Sequence, residues 1–215
     1  MRMSELSAQS GVPVPTIKYY LREGLLPRGE ATSATQASYG EEHVRRLRLI
    51  RALVDVGEMS LASVRAILEA VDRPRLGLHR MLGTTQHAVG PHAQAPADED
   101  EDDDWRAARA TVDDLIAGLG WDVTATAPAR TLLAQAVVTM RRLGLPITQD
   151  MLRTYARLAQ EMSALDFDLL GGTQGRAELA ERLTLGTVLY ERAFIAVHRL
   201  AQEELSARTY GRGRA

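Results

Sequence analysis

Apolar residues recur at three- and four-residue spacing along most of this 215-residue chain. Glycine or proline cuts the pattern at Gly11, Gly24, Gly118 and Gly120, Gly144-Leu145-Pro146, and Gly171-Gly172. A repeat near 3.6 with no useful run of strand alternation restricts the chain to a mainly α fold of separate short and medium helices. No apolar run approaches the length of a bilayer span, which excludes a helical membrane anchor. The opening Met-Arg-Met-Ser-Glu-Leu lacks the basic and apolar regions of a secretory leader, so none is expected. With no cysteine, disulfide, thiolate-zinc, iron–sulfur and cysteine-nucleophile chemistry are excluded.

The net charge of −2 hides an uneven distribution. Residues 1–75 carry 11 basic and 9 acidic side chains, residues 76–104 one basic and seven acidic, and residues 105–215 carry 14 basic and 12 acidic. Gly83, Gly90, Pro91 and Pro96 punctuate the middle stretch, which ends in seven consecutive carboxylates, Asp98 to Asp104. Like charges in series repel one another and bury no apolar surface. The expected organisation is a first domain over 1–75, a short helix and acidic flexible linker over 76–104, an all-helical domain over 105–207 and a basic tail over 208–215.

In the first domain, Ser4 is positioned to cap a helix that runs to Ser10 and ends at Gly11. After Val12-Pro13-Val14 a second helix runs to about Glu23 and stops at Gly24, giving a helix-turn-helix pattern. At 100° per residue Val14, Ile17 and Leu21 share the inner side of that second helix. Pro15, Lys18, Tyr19 and Arg22 share the outer side, and Lys18 is the single lysine of the chain. Cations and a phenol on one face suit a phosphate-lined groove, although charge alone also suits a plain solvated surface. Pro27–Tyr39 is rich in Gly, Ala, Thr and Ser and reads as a two-stranded wing. A third helix opens with Glu41 and Glu42 at its positive end and buries Leu47, Ile50, Leu53 and Val54. Its Arg45, Arg48 and Arg51 form a cationic row with no intervening acid, a candidate phosphate clamp. Ser60 caps a fourth helix, whose stripe is Leu61, Val64, Ile67, Leu68 and Val71.

The runs Met3-Ser4-Glu5-Leu6, Gly11-Val12, Thr16-Ile17-Lys18-Tyr19-Tyr20 and Glu23-Gly24-Leu25-Leu26-Pro27 resemble the MerR family of transcription regulators. So do Tyr39, Arg46-Leu47-Arg48-Leu49-Ile50, Gly57 and Ser60-Leu61-Ala62-Ser63-Val64-Arg65. The resemblance covers about residues 1–72. It implies a winged helix-turn-helix that binds double-stranded promoter DNA as a homodimer, twists an over-long promoter spacer and thereby acts on RNA polymerase. Carried over by position, it implies DNA contacts from Thr16, Lys18, Tyr19, Tyr20, Arg22, Tyr39, Arg45 and Arg48. Three positions depart from the family pattern. Pro15 stands where an arginine is common, Thr35-Gln36-Ala37-Ser38 replaces a Gly-Tyr-Arg in the wing, and one extra residue lies near Glu58-Met59.

The family's long helix after the fourth, which pairs with the dimer mate, has no counterpart here, since Arg75–Leu82 predicts two turns and glycines follow. Two turns cannot hold a dimer seam. Helices are predicted at Trp105–Leu119, Ala127–Leu143, Thr148–Leu170 and Arg176–Ala207. The last carries Leu179, Leu183, Tyr190, Phe194, Val197, Ala201 and Leu205 on one side, as a bundle spine or part of the dimer. Trp121, Tyr155, Phe167, Tyr190 and Phe194 are candidates to line a pocket for an organic effector, against the simpler reading that they are core. His79, His87 and His92 near the carboxylates fix no metal geometry, so neither metal nor cofactor is expected. His198 and Glu203 are the nearest approach to a catalytic pair, and Gly171, Gly172 and Gly175 form no nucleotide fingerprint, so no enzyme activity is expected. The expected function is a cytoplasmic, nucleoid-associated transcription regulator; the alternative is a ligand-independent architectural DNA-binding protein.

Overall fold

The computed structural model describes residues 1–33, 36–73, 75–89, 96, 102–170 and 176–211. His92, the carboxylates at 98–101, the glycines at 171, 172 and 175, Thr35, and the arginines at 212 and 214 lie outside the described residues. The described residues form a mainly α structure with one small sheet, as the apolar period requires.

The first unit comprises Met1–Val89 with Leu170–Ala215. It begins with α1 (Met3–Ser10) and α2 (Val14–Arg22), joined through Gly11, which adopts φ 68° and donates its N–H to the Ser7 carbonyl at 2.9 Å. That left-handed turn is open to glycine at little cost. Ser4 is not the cap of α1: the helix starts two residues earlier than that cap requires, and the Arg2 N–H donates to Glu5 Oε2 at 2.6 Å. The reach of the Glu5 carboxylate over the first turn, rather than the Ser4 hydroxyl, sets this end.

The wing is the antiparallel pair β1 (Glu30–Ser33) and β2 (Gln36–Ser38), with Glu30 opposite Ser38 and Ala31 opposite Ala37. Its base is tied to the start of the chain. The amino terminus donates to the Tyr39 carbonyl at 2.7 Å, and the Tyr39 N–H donates to the Met1 carbonyl at 2.9 Å. α3 (Glu41–Arg51) runs on into a π-helical turn over Ala52–Val56. Glu58 then takes φ 53°, and the Met59 N–H returns to the Leu53 carbonyl at 3.1 Å. The widened turn and one left-handed residue absorb the extra residue near Glu58-Met59 without disturbing α4 (Leu61–Val71). α4 is capped as expected, with Ser60 Oγ accepting from the Ser63 N–H at 3.1 Å.

Two expectations for the middle of the chain are revised. The short helix is longer and shifted: α5 (Leu78–Ala88) buries Met81, Leu82 and Thr85 against α4 and against the last helix of the chain. Residues 78–88 therefore belong to the first core and not to a linker. Asp102, Asp103 and Asp104 are likewise structured: Asp102 caps the next helix, Asp103 pairs with Arg106 of that helix, and Asp102 and Asp104 pair with Arg142.

The last helix, α9 (Arg176–Tyr210), has 35 residues, about 52 Å at 1.5 Å per residue. It was expected to belong with 105–175, but its first half packs on residues 1–89. Ala180, Leu183 and Val188 enter the same core as Leu47, Leu53, Ile67 and Met81. Gly57 leaves room for this approach: a Cβ there would stand 2.6 Å from the Leu53 carbonyl and 2.7 Å from Val188 Cγ1. Arg192 donates to the Gly57 carbonyl at 2.8 Å and pairs with Glu58 at 3.2 Å. Residues 208–210, expected in a basic tail, continue this helix, with Arg208 paired to Glu204 one turn back.

The second unit, Gly90–Leu169, contains α6 (Asp103–Leu119), α7 (Pro128–Arg142) and nearly all of α8 (Gln149–Leu170). Trp105, Ala108, Val112 and Leu115 of α6 pack on Ala134, Val137 and Val138 of α7, and Leu152 of α8 closes this small core. The Gln149 amide donates to the Thr111 carbonyl at 3.0 Å and fixes the start of α8.

Candidate nucleic-acid interface

The outer face of α2 is built by what its inner face buries. Ile17 is wholly buried and Tyr20 is 7% exposed, both within the first core. Helical spacing then turns Lys18 and Arg22 to solvent, with Thr16 and Tyr19 half-buried beside them. The Arg22 guanidinium lies 5.3 Å from the centre of the Tyr19 ring, which holds the arginine along the helix. Between α1, α2 and the wing lies a cavity of about 850 Å³, lined among others by Arg2, Ser4, Val14, Lys18, Thr32 and Ser38. Donors from three elements therefore face one groove.

Two of the expected contact residues are largely buried, Tyr39 at the edge of the same groove. Tyr20 and Tyr39 are each 7% exposed. Tyr20 packs beside Tyr19 with ring centres 5.9 Å apart, and burial raises its phenol above the ordinary value, with the Asp55 carboxylate adding to the shift. Tyr39 meets the His43 ring edge-on at 5.2 Å and closes the base of the wing. A buried ring holds the backbone that presents its neighbours; the resemblance implied that Tyr39 closes the wing, and Tyr20, named with the recognition helix, lies on its inner side.

The arginine row of α3 is also more engaged than its spacing suggested. Arg45 lies 3.8 Å from Glu181 of α9, and Arg51 pairs with Asp55 at 2.9 Å. The expectation of a row without neighbouring acids is thus corrected: Asp55 lies one turn beyond Arg51 on the same face, and α9 supplies Glu181 from far along the chain. Arg48 donates to the Gln9 carbonyl at 3.2 Å and Arg51 to the Gly11 carbonyl at 3.0 Å, so the row braces the helix-turn-helix from behind its turn. All three remain exposed. Arg46, between them, is 8% exposed and purely internal. It donates to Asp72 through both terminal nitrogens at 2.8 and 2.5 Å and from Nε to the Leu25 carbonyl at 3.1 Å. The available signal was an arginine three residues after His43 and four before Ile50, on the inner stripe of α3.

Residues 1–71 match the MerR HTH family regulatory protein model. The mercuric resistance operon regulatory protein of Bacillus cereus is 36% identical over 72 residues, 34% of this chain and 54% of that protein. The HTH-type transcriptional regulator ZntR homolog of Haemophilus influenzae is 34% identical over 68 residues, 32% of this chain and 50% of that protein. The chain thus spans about half the length of these curated relatives. The crystal structure of SCO5550 from Streptomyces coelicolor A3(2), described as a proposed transcriptional regulator, is 38% identical with a TM-score of 0.76, covering 100% of both chains. Residues 1–71 are thus a MerR-type HTH domain.

The relatives that carry this domain are described as regulatory proteins. Among the chain's described residues no helix is long and apolar enough to cross a membrane, and no group of three or more His, Asp or Glu is arranged to hold a metal ion. His79 and His87 both lie on α5. The five aromatic residues expected at an effector pocket are distributed over both units. Tyr190 and Phe194 are on α9 of the first. Trp121, Tyr155 and Phe167 are in the second, where Tyr155 and Phe167 are exposed on α8 at 57% and 52%. One cavity of the second unit is lined by Trp105 and its neighbours and by none of these five.

Proposed function

We propose that this MerR-family chain is a cytoplasmic, homodimeric regulator that binds inverted repeats in promoter DNA and acts by distorting the promoter spacer read by RNA polymerase. The observation that carries the DNA reading is the outer face of α2, where Lys18 and Arg22 stand exposed beside half-buried Thr16 and Tyr19, over a buried Ile17 and Tyr20. Such a helix offers phosphate and base-edge donors to a major groove, and the wing borders the same groove. Arg48 and Arg45 extend the cationic surface along α3 towards the backbone, and Tyr39 supports the wing. Activation by catalysis has no part in this reading, and an organic effector would act through the second unit.

The dimer reading rests on the second half of α9. Phe194, Val197 and Leu205 are exposed at 41%, 62% and 62% and share one side of the helix with Ala201. Two copies of α9 crossing antiparallel at Ala201 would place Val197 opposite Leu205 across a two-fold axis. Apolar meets apolar, and a small residue sits at the crossing. The seam absent after α4 would thus be supplied by the other end of the chain.

Selection of bound fragments from genomic DNA with the full chain, footprinted at two salt concentrations, tests this reading. The expected result is an inverted repeat inside a promoter spacer, protected symmetrically, with affinity falling steeply in salt. Binding without paired half-sites would favour the architectural alternative, and no binding would overturn the regulator.

A further inference from the structure

Glu58 is the one non-glycine residue with positive φ among the described residues, at 53°. A non-glycine residue stays in the left-handed region only where its surroundings hold it, and such residues gather at switch and binding regions. The holder here is Arg192 of α9. It donates from Nη2 to the Gly57 carbonyl at 2.8 Å and pairs through Nη1 with Glu58 at 3.2 Å. Both contacts fall on the end of the π-helical turn, which closes with the Gly57 N–H on the Ala52 carbonyl at 3.0 Å. Single turns of this kind are frequent at functional positions.

The same turn carries Asp55, whose carboxylate accepts from Arg51 Nε at 2.9 Å. The Arg51 guanidinium also donates from Nη1 to the Gly11 carbonyl at 3.0 Å. Gly11 is the left-handed residue that ends α1 and turns the chain towards α2. Arg51 and Asp55 are both half-exposed, so their pair adds little to stability. What it fixes is direction, because a planar guanidinium held at Nε presents its two Nη atoms in a set geometry. Contacts therefore run from α9, through the backbone of one turn, to the turn of the helix-turn-helix.

We propose that Arg192 is a positioning residue for the helix-turn-helix, acting through Gly57 and Glu58, then Asp55, then Arg51 on the Gly11 turn. Arg192 holds the end of the π-helical turn, the turn aims Asp55, Asp55 aims Arg51, and Arg51 sets the angle at which the chain enters α2. Lys18 and Arg22 ride on α2, so a movement of α9 reaches the face they present. The use of this relay rests on the proposed DNA-binding function. Its test uses no DNA, so a failed relay leaves the DNA-binding reading standing, and failure to bind DNA leaves the relay standing.

The experiment is native-state amide hydrogen exchange, followed by NMR on the ¹⁵N-labelled full chain, for the parent, Arg192→Gln, Asp55→Ala and the double variant. The Gly11 N–H, bonded to the Ser7 carbonyl at 2.9 Å, reports the turn. The Asp72 N–H, bonded to the Leu68 carbonyl at 2.9 Å, reports the same core away from the relay. Each single variant should speed Gly11 exchange at least threefold and leave Asp72 at the parent rate. The double variant should be no faster than the faster single one, because both changes break one relay. Arg192→Lys, which keeps the cation and one of the two contacts, should fall between parent and Arg192→Gln. If Arg192→Gln fails to fold, Glu58→Gln tests the same pair from its other side. Gly11 exchange that stays at the parent rate, that rises in step with Asp72, or whose two accelerations multiply in the double variant overturns the proposal.

Discussion

Arg45 of α3 and Glu181 of α9 face each other at 3.8 Å, which links the cationic row of the DNA-binding domain to a residue 136 positions later in the chain. Glu181 is half-buried, and burial raises its carboxyl above the ordinary glutamate value, with Arg45 and then Arg46 pulling the other way. On the proposed DNA-binding function, an anion so placed would compete with DNA phosphate for Arg45. Glu181→Gln should therefore raise affinity for DNA of any sequence. Arg45→Ala should lower affinity and reduce the salt slope by about 0.9 for each phosphate left unneutralised. Binding isotherms over a salt series distinguish the two.

The same carboxyl makes a pH prediction. A group with a raised folded-state pKa binds its proton more tightly when folded, so its contribution favours the native state at low pH and is lost as pH rises through the folded value. The window opens above the ordinary glutamate value of about 4.3. Glu181→Gln should flatten the fall in thermal stability over that window, and paired melting curves at stepped pH check it.

Asp102 should behave with the opposite sign. The Trp105 N–H donates to it at 2.9 Å, Arg142 lies against it, and its carboxyl is held below the ordinary range, first by that backbone bond. A lowered folded-state pKa stabilises above the ordinary aspartate value and fades as pH falls through the lowered one. Asp102→Ala should lower the melting temperature at neutral pH, and the difference from the parent chain should vanish in strong acid.

The internal pair Arg46–Asp72 joins α3 to the end of α4. Asp72→Ala strands a buried guanidinium and should cost about 1–3 kcal/mol. Urea denaturation measures this, and Arg46→Leu with Asp72→Ala together should cost less than the sum of the two single changes.

Gly57→Ala tests the docking of α9. The added Cβ meets the Leu53 carbonyl and Val188 at distances no carbon tolerates. The expected cost is about 1–3 kcal/mol, with faster proteolysis between residues 170 and 190 as the local readout.

Local signals determined the helices, their breaks, the wing and the helix-turn-helix, because each depends on spacing, caps and turn residues within a few positions. The α2 face was readable for the same reason: Ile17 and Lys18 take opposite sides of any helix. What spacing cannot supply is the partner beyond the helix. Tyr20 and Tyr39 became core, Arg46 became an internal brace and Asp102 became a cap because other elements closed over them. Above all, the sequence placed α9 with the chain's second half, yet Val188 and Arg192 dock on Gly57 and Glu58. An apolar stripe on a helix states only that something must cover it. Which surface does so follows from the long-range packing of Leu53, Met81 and Leu183 into one core, and only the tertiary structure decides that.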